Sequence, residues 1–363
     1  MRRLLLSISI LLSSSAVCQA QFLSDTVTVA FIGDVMQHIG QLQDALKDGG
    51  DSTYDYTGYF KYLKPYFDAA DFTVANMEFT CGVTPYTGYP CFSAPVSLAA
   101  EARRSGIDLF ETANNHICDK GSRGLDSTIS IYSRNGWDYT GIYRNDVEEY
   151  VNDPAIYELK GVRIAFINMT YGTNGNKIPE PYSVNLLDTA DVAASIRRAQ
   201  DRDAELIVAL PHWGTEYKTS PSDSQKRWEK FLYSHGVDII IGSHPHVVEP
   251  IVALTDPASG KIKHITAFSL GNYISNMSIK YGRIGALAMI RIVKVHGTGA
   301  IEILQPEVHY LWCCKPGRLE KGFTVAPIEW LLSDDCKGLD KTERLKVKGE
   351  WAQLQKEIEI KDR

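Results

Sequence analysis

The chain has 363 residues, 44% hydrophobic and 23% charged, which suits a folded protein of two domains or of one large α/β domain with an extension. Its formal net charge of −6 argues against nucleic acid as a partner, because phosphate binding needs clustered Lys and Arg.

The N-terminus differs in kind from the rest. Arg2 and Arg3 precede the apolar run LLLSISILLSSSAV, and small residues follow up to Ala20. This pattern reads as a secretory signal peptide over residues 1–20. The run is too short for a membrane span, and no other segment approaches that length. Cys18 offers a lipoprotein alternative, but Ser15-Ala16-Val17 is a poor acylation box, so lipidation is the weaker reading. The expectation is an exported chain (periplasmic, extracellular or membrane-surface) with no transmembrane span after processing. Losing Arg2 and Arg3 leaves 36 basic residues against 44 acidic ones. Cys81 and Cys91 bracket a Gly/Pro-rich loop that a disulfide could close outside the cytosol, or they are two free thiols. Cys313 and Cys314 could bridge each other, and either could pair with Cys336.

In chain order, residues 26–32, 71–75, 107–113, 162–169, 205–211, 237–241 and 264–270 are short, β-branched and nearly continuously apolar. They predict strands covered on both faces. Amphipathic stretches at 58–67, 97–106, 122–136, 191–200 and 222–236 predict helices between them, several opening at Ser or Asp and closing at Gly. Such alternation favours an α/β sheet. Residues 286–295 and 300–306 predict a closing β-hairpin, and the charged tail from about 342 a helix. The layout is one domain over 25–277, closing strands of the same domain over 278–312, and a C-terminal extension over 313–363.

The residues just past each strand carry the chemistry. GDVMQH supplies Asp34 and His38, and NMEFT supplies Asn76 and Glu78. NNHICDKG supplies Asn114, Asn115, His116 and Asp119. HWGTEY supplies His212 and Glu216, GSHPH supplies His244 and His246, and GNYISN supplies Asn272. Ligands of α/β sheets bind outside the carboxyl ends of the strands, so six ends deliver His, Asp, Glu and Asn to one rim. Imidazole, carboxylate and amide oxygen suit Zn²⁺, Mn²⁺ or Fe, with ligands enough for two divalent ions. Bland alternatives exist: GSHPH as a Pro-pinned turn, Asp34 as a helix cap, Glu78 as a solvated loop carboxylate. His38 shares a face with Asp34 only where a helix starts between them. Trp213 is expected to pack, Cys118 to be an inert buried thiol, and His235 to serve a helix end.

Taken in order, GDVM, NMEF, ANNHICDKGSRGL, HWGTEY, GSHPH and SLGN resemble the CapA family of poly-γ-glutamate capsule synthesis proteins, related to the calcineurin-like metallophosphoesterases. The resemblance spans about residues 25–277. It implies a layered α/β sandwich of metallophosphoesterase type and a metal-dependent hydrolase acting on amide (γ-glutamyl) or phosphoester bonds. It further implies an anionic cell-surface polymer, or its fragments, as substrate, and capsule assembly proteins as partners. The alternative is a non-catalytic, polymer-binding component of such an assembly. By that resemblance Asp34, His38 and His246 would serve one metal, Asn115, His212 and His244 the other, and His116 would protonate the leaving group. Two features depart from the phosphoesterase pattern. Asp34 and His38 are separated by three residues rather than one, and Asn76-Met-Glu78 stands where a Gly-Asp bridging motif is usual. Glu78 would bridge, and Glu216, without a counterpart there, would read substrate or act as base. Asn76, Asp119, Asn272 and Arg123 complete the rim as substrate-binding candidates. Arg123, Arg144 or Lys218 would offset the repulsion between an acidic chain and an acidic polymer.

Overall fold

The computed structural model describes residues 24–358; the expected signal peptide, with Cys18, lies outside the described residues. Fifteen strands join in one sheet built from two parallel blocks. The first block holds Ser24–Val35, Phe72–Met77, Leu109–Glu111 and Asp138–Thr140. The second holds Val162–Thr170, Leu206–His212, Ile239–Ile241 and Ile262–Ala267. Between them, Ile284–Val295 runs antiparallel to Ser24–Val35 and reaches the second block through Ile301–Ile303.

Side chains alternate across a strand, and that period sorts them into layers. Val27, Val29 and Phe31 enter one apolar layer with Val162, Ile164 and Phe166 and with Leu206, Val208 and Leu210. Their neighbours Ala30 and Ile32 face the helices of the first block, and Ala165, Ile167, Ile207 and Ala209 those of the second. The sheet therefore folds over on itself with helices outside. This is the layered α/β sandwich expected from the sequence. Among the described residues, no helix is long and apolar enough to cross a membrane.

Four expected helices form, over Val96–Ser105, Gly121–Asn135, Thr189–Asp201 and Asp223–His235. The fifth divides into Thr57–Phe60 and Lys64–Ala69, with Pro65 in the first turn of the second piece, where its missing N–H costs nothing. The C-terminal residues are integral. Glu307–Cys314 pairs with Ile284–Val295 and with Thr324–Pro327, and Val347, Leu354 and Ile358 of the helix Lys341–Ile358 enter the central apolar layer. All six cysteines of the described residues are free thiols; Cys81 is buried and Cys91 exposed, and neither Cys81–Cys91 nor a pairing among Cys313, Cys314 and Cys336 forms. Burial, with help from Asp119, pushes the Cys118 thiol up to about 11, as suits an inert group.

The rim depends on one close backbone approach. A Cβ on Gly33 would lie 1.8 Å from the carbonyl oxygen of Gly271, the same oxygen that accepts from Asp34 N at 2.9 Å. Gly33→Ala is expected to cost about 1–3 kcal/mol or more, as overpacking of a closed site does. An unchanged urea-unfolding midpoint would contradict this.

Candidate functional site

Six strand ends meet. Asp34 is next to last in the first strand, and Asn76 Nδ2 donates to its Oδ1 at 2.7 Å. Asn114 Nδ2 donates to Asn76 Oδ1 at 3.2 Å, and Asn76 Nδ2 lies 3.3 Å from His212 Nδ1. His212, the last residue of its strand, has Nε2 at 2.9 Å from Asn115 Oδ1 and Nδ1 at 2.9 Å from Ser243 Oγ. Asn115 Nδ2 donates to Asn174 Oδ1 at 3.2 Å, which turns its oxygen towards His212.

The GSHPH loop is built for close quarters. A Cβ on Gly242 would lie 2.1 Å from the Phe268 carbonyl oxygen and 2.4 Å from Trp213 Nε1. Trp213 is buried and donates to that same carbonyl at 2.9 Å, so it packs as expected. His244 and His246 both hold positive φ, 98° and 58°. Such backbone costs about 1–3 kcal/mol per residue and persists where the surroundings enforce it, typically at functional sites. Here it aims the His244 N–H at Asp34 Oδ2 (3.4 Å) and brings the His246 ring alongside.

Hydrogen bonds fix which ring nitrogen faces the centre. His246 Nδ1 lies 3.1 Å from Asp34 Oδ2 and 3.1 Å from Asn272 Oδ1. The Asn272 amide nitrogen is committed to the carbonyls of His246 and Gly282, so both atoms facing Nδ1 are acceptors. Nδ1 therefore carries the proton, and Nε2 turns its lone pair towards Glu78 Oε1, 3.8 Å away. His116 follows the same logic. Asp119 Oδ2 accepts from Phe92 N at 2.7 Å and lies 2.8 Å from His116 Nδ1, leaving His116 Nε2 at 3.9 Å from Glu78 Oε1.

Glu78 is the centre of the arrangement. It is fully buried, neither carboxylate oxygen has a hydrogen-bond partner among the described residues, and the Nε2 atoms of His116, His212 and His246 all lie 3.8–3.9 Å from one of those oxygens. Burial first, then the charges of Asp34, Glu216 and Asp119, hold its carboxyl well above the usual range. The imidazoles shift the other way. Burial and the other histidines push His212 well below its ordinary value and His244 down to about 3, so both stay neutral and able to ligate. An uncompensated buried carboxylate facing neutral imidazole nitrogens is what a cation site looks like without its cation.

Two ligand groups arise, Glu78 with His244 and His246, and Asp34 with Glu78 and His212, the ligand atoms of each lying within 4.8 Å of one another. Ligand bonds of about 2.0–2.2 Å put two ligands of one ion at most about 4.4 Å apart, so a contraction of about half an ångström suffices. The residues present fit a divalent metal pair with Glu78 common to both positions. The grouping differs from that implied by the resemblance, in that His244 and His246 fall in the same group.

The other expected residues take more peripheral places. His38 caps the helix Ile39–Asp48, with Nδ1 at 3.1 Å from Gln41 Oε1 and accepting from Asn276 N at 3.3 Å, and it belongs to neither group of converging ligands. Its ring packs edge-on to Phe92, which also packs against His116. Glu216 is exposed at the mouth beside Tyr217. Arg123 is exposed on its helix with no hydrogen bond or ion pair among the described residues, and Arg144 is engaged by Asp126 and Ser130. His235 sits at the end of its helix, bonded to Phe231 O. One strand end lacks the His/Asp/Glu signature and is not expected at the rim. After Val162–Thr170, Tyr171 lays its half-exposed ring 4.6 Å from that of His244, and across the site the Tyr217 ring lies 6.2 Å from that of His246. The segment TYGTN, a polar turn after a buried strand, carries the same positional signal as the other six.

Glu249, three residues beyond His246, is a second strained carboxyl. It is fully buried, Gln225 Nε2 donates to one oxygen, and the other has no partner among the described residues. Burial, opposed by the Gln225 bond, pushes it up to about 8. The folded chain thus keeps a proton that the unfolded chain releases near 4.5, so its contribution is full below that pH and lost as pH rises through about 8. Glu249→Gln is expected to flatten the fall in unfolding free energy between about pH 5 and pH 8 by several kcal/mol. Urea titrations at the two pH values measure this, and equal slopes in variant and parent would refute it.

Comparison with known proteins places the chain in a family. Residues 28–277 match the family model for the bacterial capsule synthesis protein PGA_cap. The PGA biosynthesis protein CapA of Bacillus subtilis (strain 168) is 26% identical over 297 residues, covering 78% of this chain and 72% of that protein. Among solved structures, the NAD nucleotidase NadN of Haemophilus influenzae aligns with a TM-score of 0.50 at 11% identity, over 91% of this chain and 63% of that one. The calcineurin-like phosphoesterase YfkN of Bacillus subtilis aligns with a TM-score of 0.49 at 13% identity, over 93% of this chain and all of that one. The structural likenesses concern the fold alone. The family match covers more than half of the chain and contains every residue of the Glu78 cluster, and the chain belongs to the bacterial capsule synthesis protein PGA_cap family.

Proposed function

We propose that this chain is an exported, metal-dependent hydrolase that cuts amide (γ-glutamyl) or phosphoester linkages in an anionic cell-surface polymer during capsule biosynthesis, beside capsule assembly proteins. One observation carries the reading: Glu78, buried and unbonded, faces the imidazoles of His116, His212 and His246 across 3.8–3.9 Å. Glu78, His244 and His246 would hold one divalent ion, and Asp34, Glu78 and His212, with Asn115, the other. When bound, Zn²⁺, Mn²⁺ or Fe polarises the bond to be cut and lowers the pKa of water. The chain's own residues supply orientation and a proton. Asn76 fixes Asp34 and Asp119 holds His116 by Nδ1, so that His116, once protonated on both ring nitrogens, would donate from Nε2 to a leaving group. Export rests on residues 1–20.

Parallel assays on an aryl phosphodiester and on poly-γ-glutamate separate phosphoryl from amide chemistry, and turnover of neither by the metal-loaded chain would sink the hydrolase. The rival reading, a rim that holds polymer without cutting it, is favoured by one observation: His38 caps a helix instead of joining the ligand groups.

A further inference from the structure

Beyond the rim, a cavity of ≈ 260 Å³ is lined by Lys280, Arg283, Lys315 and Lys346, with Glu350 as its single carboxylate. In a chain of net charge −6 this gathering of cations demands a cause. Three of them are engaged. Arg283 is buried, pairs with Glu343, donates from Nε to Cys313 O at 2.8 Å and lies over the Trp312 ring at 4.4 Å. Lys346 lies 3.6 Å from Glu350, and Lys280 lies 3.3 Å from Glu357. Lys315 has neither a hydrogen bond nor an ion pair among the described residues, although it is only half exposed. Burial and the charges of Arg283 and Lys346 depress its pKa, so its ammonium group is held where like charges repel it.

The cavity shares part of its wall with a second one that borders Tyr217, at the edge of the Glu78 cluster. Ile279 and Lys280 also line a neighbouring cavity of ≈ 250 Å³ whose other walls include Tyr217 and Lys218. Tyr217 in turn flanks His246. A chain lying across the histidines would therefore run past Tyr217 and Lys280 to Lys315. None of the four cations falls within residues 28–277, so this surface comes from the C-terminal part of the chain.

We infer that the cavity between Lys280, Arg283, Lys315 and Lys346 is an anion-binding subsite, which holds a carboxylate or phosphate group of the substrate chain away from the bond to be cut. This rests on the reading of the substrate as an anionic polymer. Arg283, locked by Glu343 and Trp312, is the rigid floor, Lys315 is the unpaired cation that an incoming anion neutralises, and Lys346, shared with Glu350, lies beside it.

Fluorescence anisotropy with the full mature chain tests it without requiring turnover. Two probes distinguish the anion, a labelled oligo-γ-glutamate for carboxylate and a labelled oligo(glycerol phosphate) for phosphate. The double substitution Lys315→Gln/Lys346→Gln is expected to weaken binding of one probe about tenfold and to reduce its salt dependence. Lys315→Arg/Lys346→Arg should restore most of the affinity, which a merely misfolded variant would not allow. Unchanged affinity for both probes in the Gln pair would overturn the subsite. So would an equal loss in Lys226→Gln, an exposed lysine on another helix, because that would show only general charge attraction. Metal content, measured separately on Glu78→Ala, reports on the hydrolase reading and is independent of the lysines.

Discussion

Glu78→Gln is expected to raise the melting temperature of the metal-free protein and to lower that of the metal-loaded one. Without metal, burial and three neighbouring carboxylates hold the Glu78 carboxyl well above its ordinary value of 4.5. The folded state therefore retains a proton that the unfolded chain gives up, and stability falls as pH rises through the raised value. A neutral amide removes that loss, for a gain at neutral pH of about 1.4 kcal/mol per unit by which the carboxyl is raised. With metal the sign reverses. A parent chain at metal a hundredfold above Kd gains about 2.7 kcal/mol from binding, and an amide in place of the shared carboxylate forfeits most of it. Melts in chelator and in excess Mn²⁺ or Zn²⁺ read both signs from one pair of proteins. A shift of the same sign in both would mean that Glu78 is not a ligand.

His116→Gln is expected to lower kcat by about 10²–10⁴, the usual worth of a positioned general acid, while leaving metal content unchanged. Asp119→Asn should cost less, about 10–100-fold, because it loosens the ring without removing it. The geometry separates the two roles: the Asp119 carboxylate bonds His116 Nδ1 and Phe92 N, whereas Nε2 of His116 faces the centre. Loss of metal in His116→Gln would make this histidine a ligand and leave the proton donor unassigned.

The rim was legible in the sequence because a strand covered on both faces has to end somewhere polar, and a parallel block puts all such ends on one side. VDIII before GSHPH and ELIVALP before HWGTEY announced both the strand and the polar residues that meet at its end. How these residues group was not legible. The positive φ of His244 and His246 brings two residues separated by Pro245 into one cluster with Glu78, and spacing alone does not reveal a backbone turn of that kind. His38 misled for a related reason, since its place depended on where the helix Ile39–Asp48 begins, and the residue proved to be the cap itself.

Strands that close the sheet were harder still. Ala155–Leu159 is mostly half-buried along its length, and Glu307–Cys314 begins with half-exposed or exposed residues, so neither shows the continuous apolar run of the central strands. Ile251–Thr255 follows the histidine loop so closely that it reads as part of it. The tail showed charge and no chemistry, yet its helix supplies Val347, Leu354 and Ile358 to the central layer, Glu343 to Arg283 and Lys346 to the basic cavity. Partners so distant in sequence leave no local signature.

The central claim is that the buried, unbonded carboxylate of Glu78 is a metal ligand, and elemental analysis of the purified full-length protein tests it most directly. The account predicts at least one equivalent of Mn, Zn or Fe per chain, lost in Glu78→Ala and in His246→Ala. Metal below one equivalent after incubation with all three ions, or an unchanged content in Glu78→Ala, would contradict it.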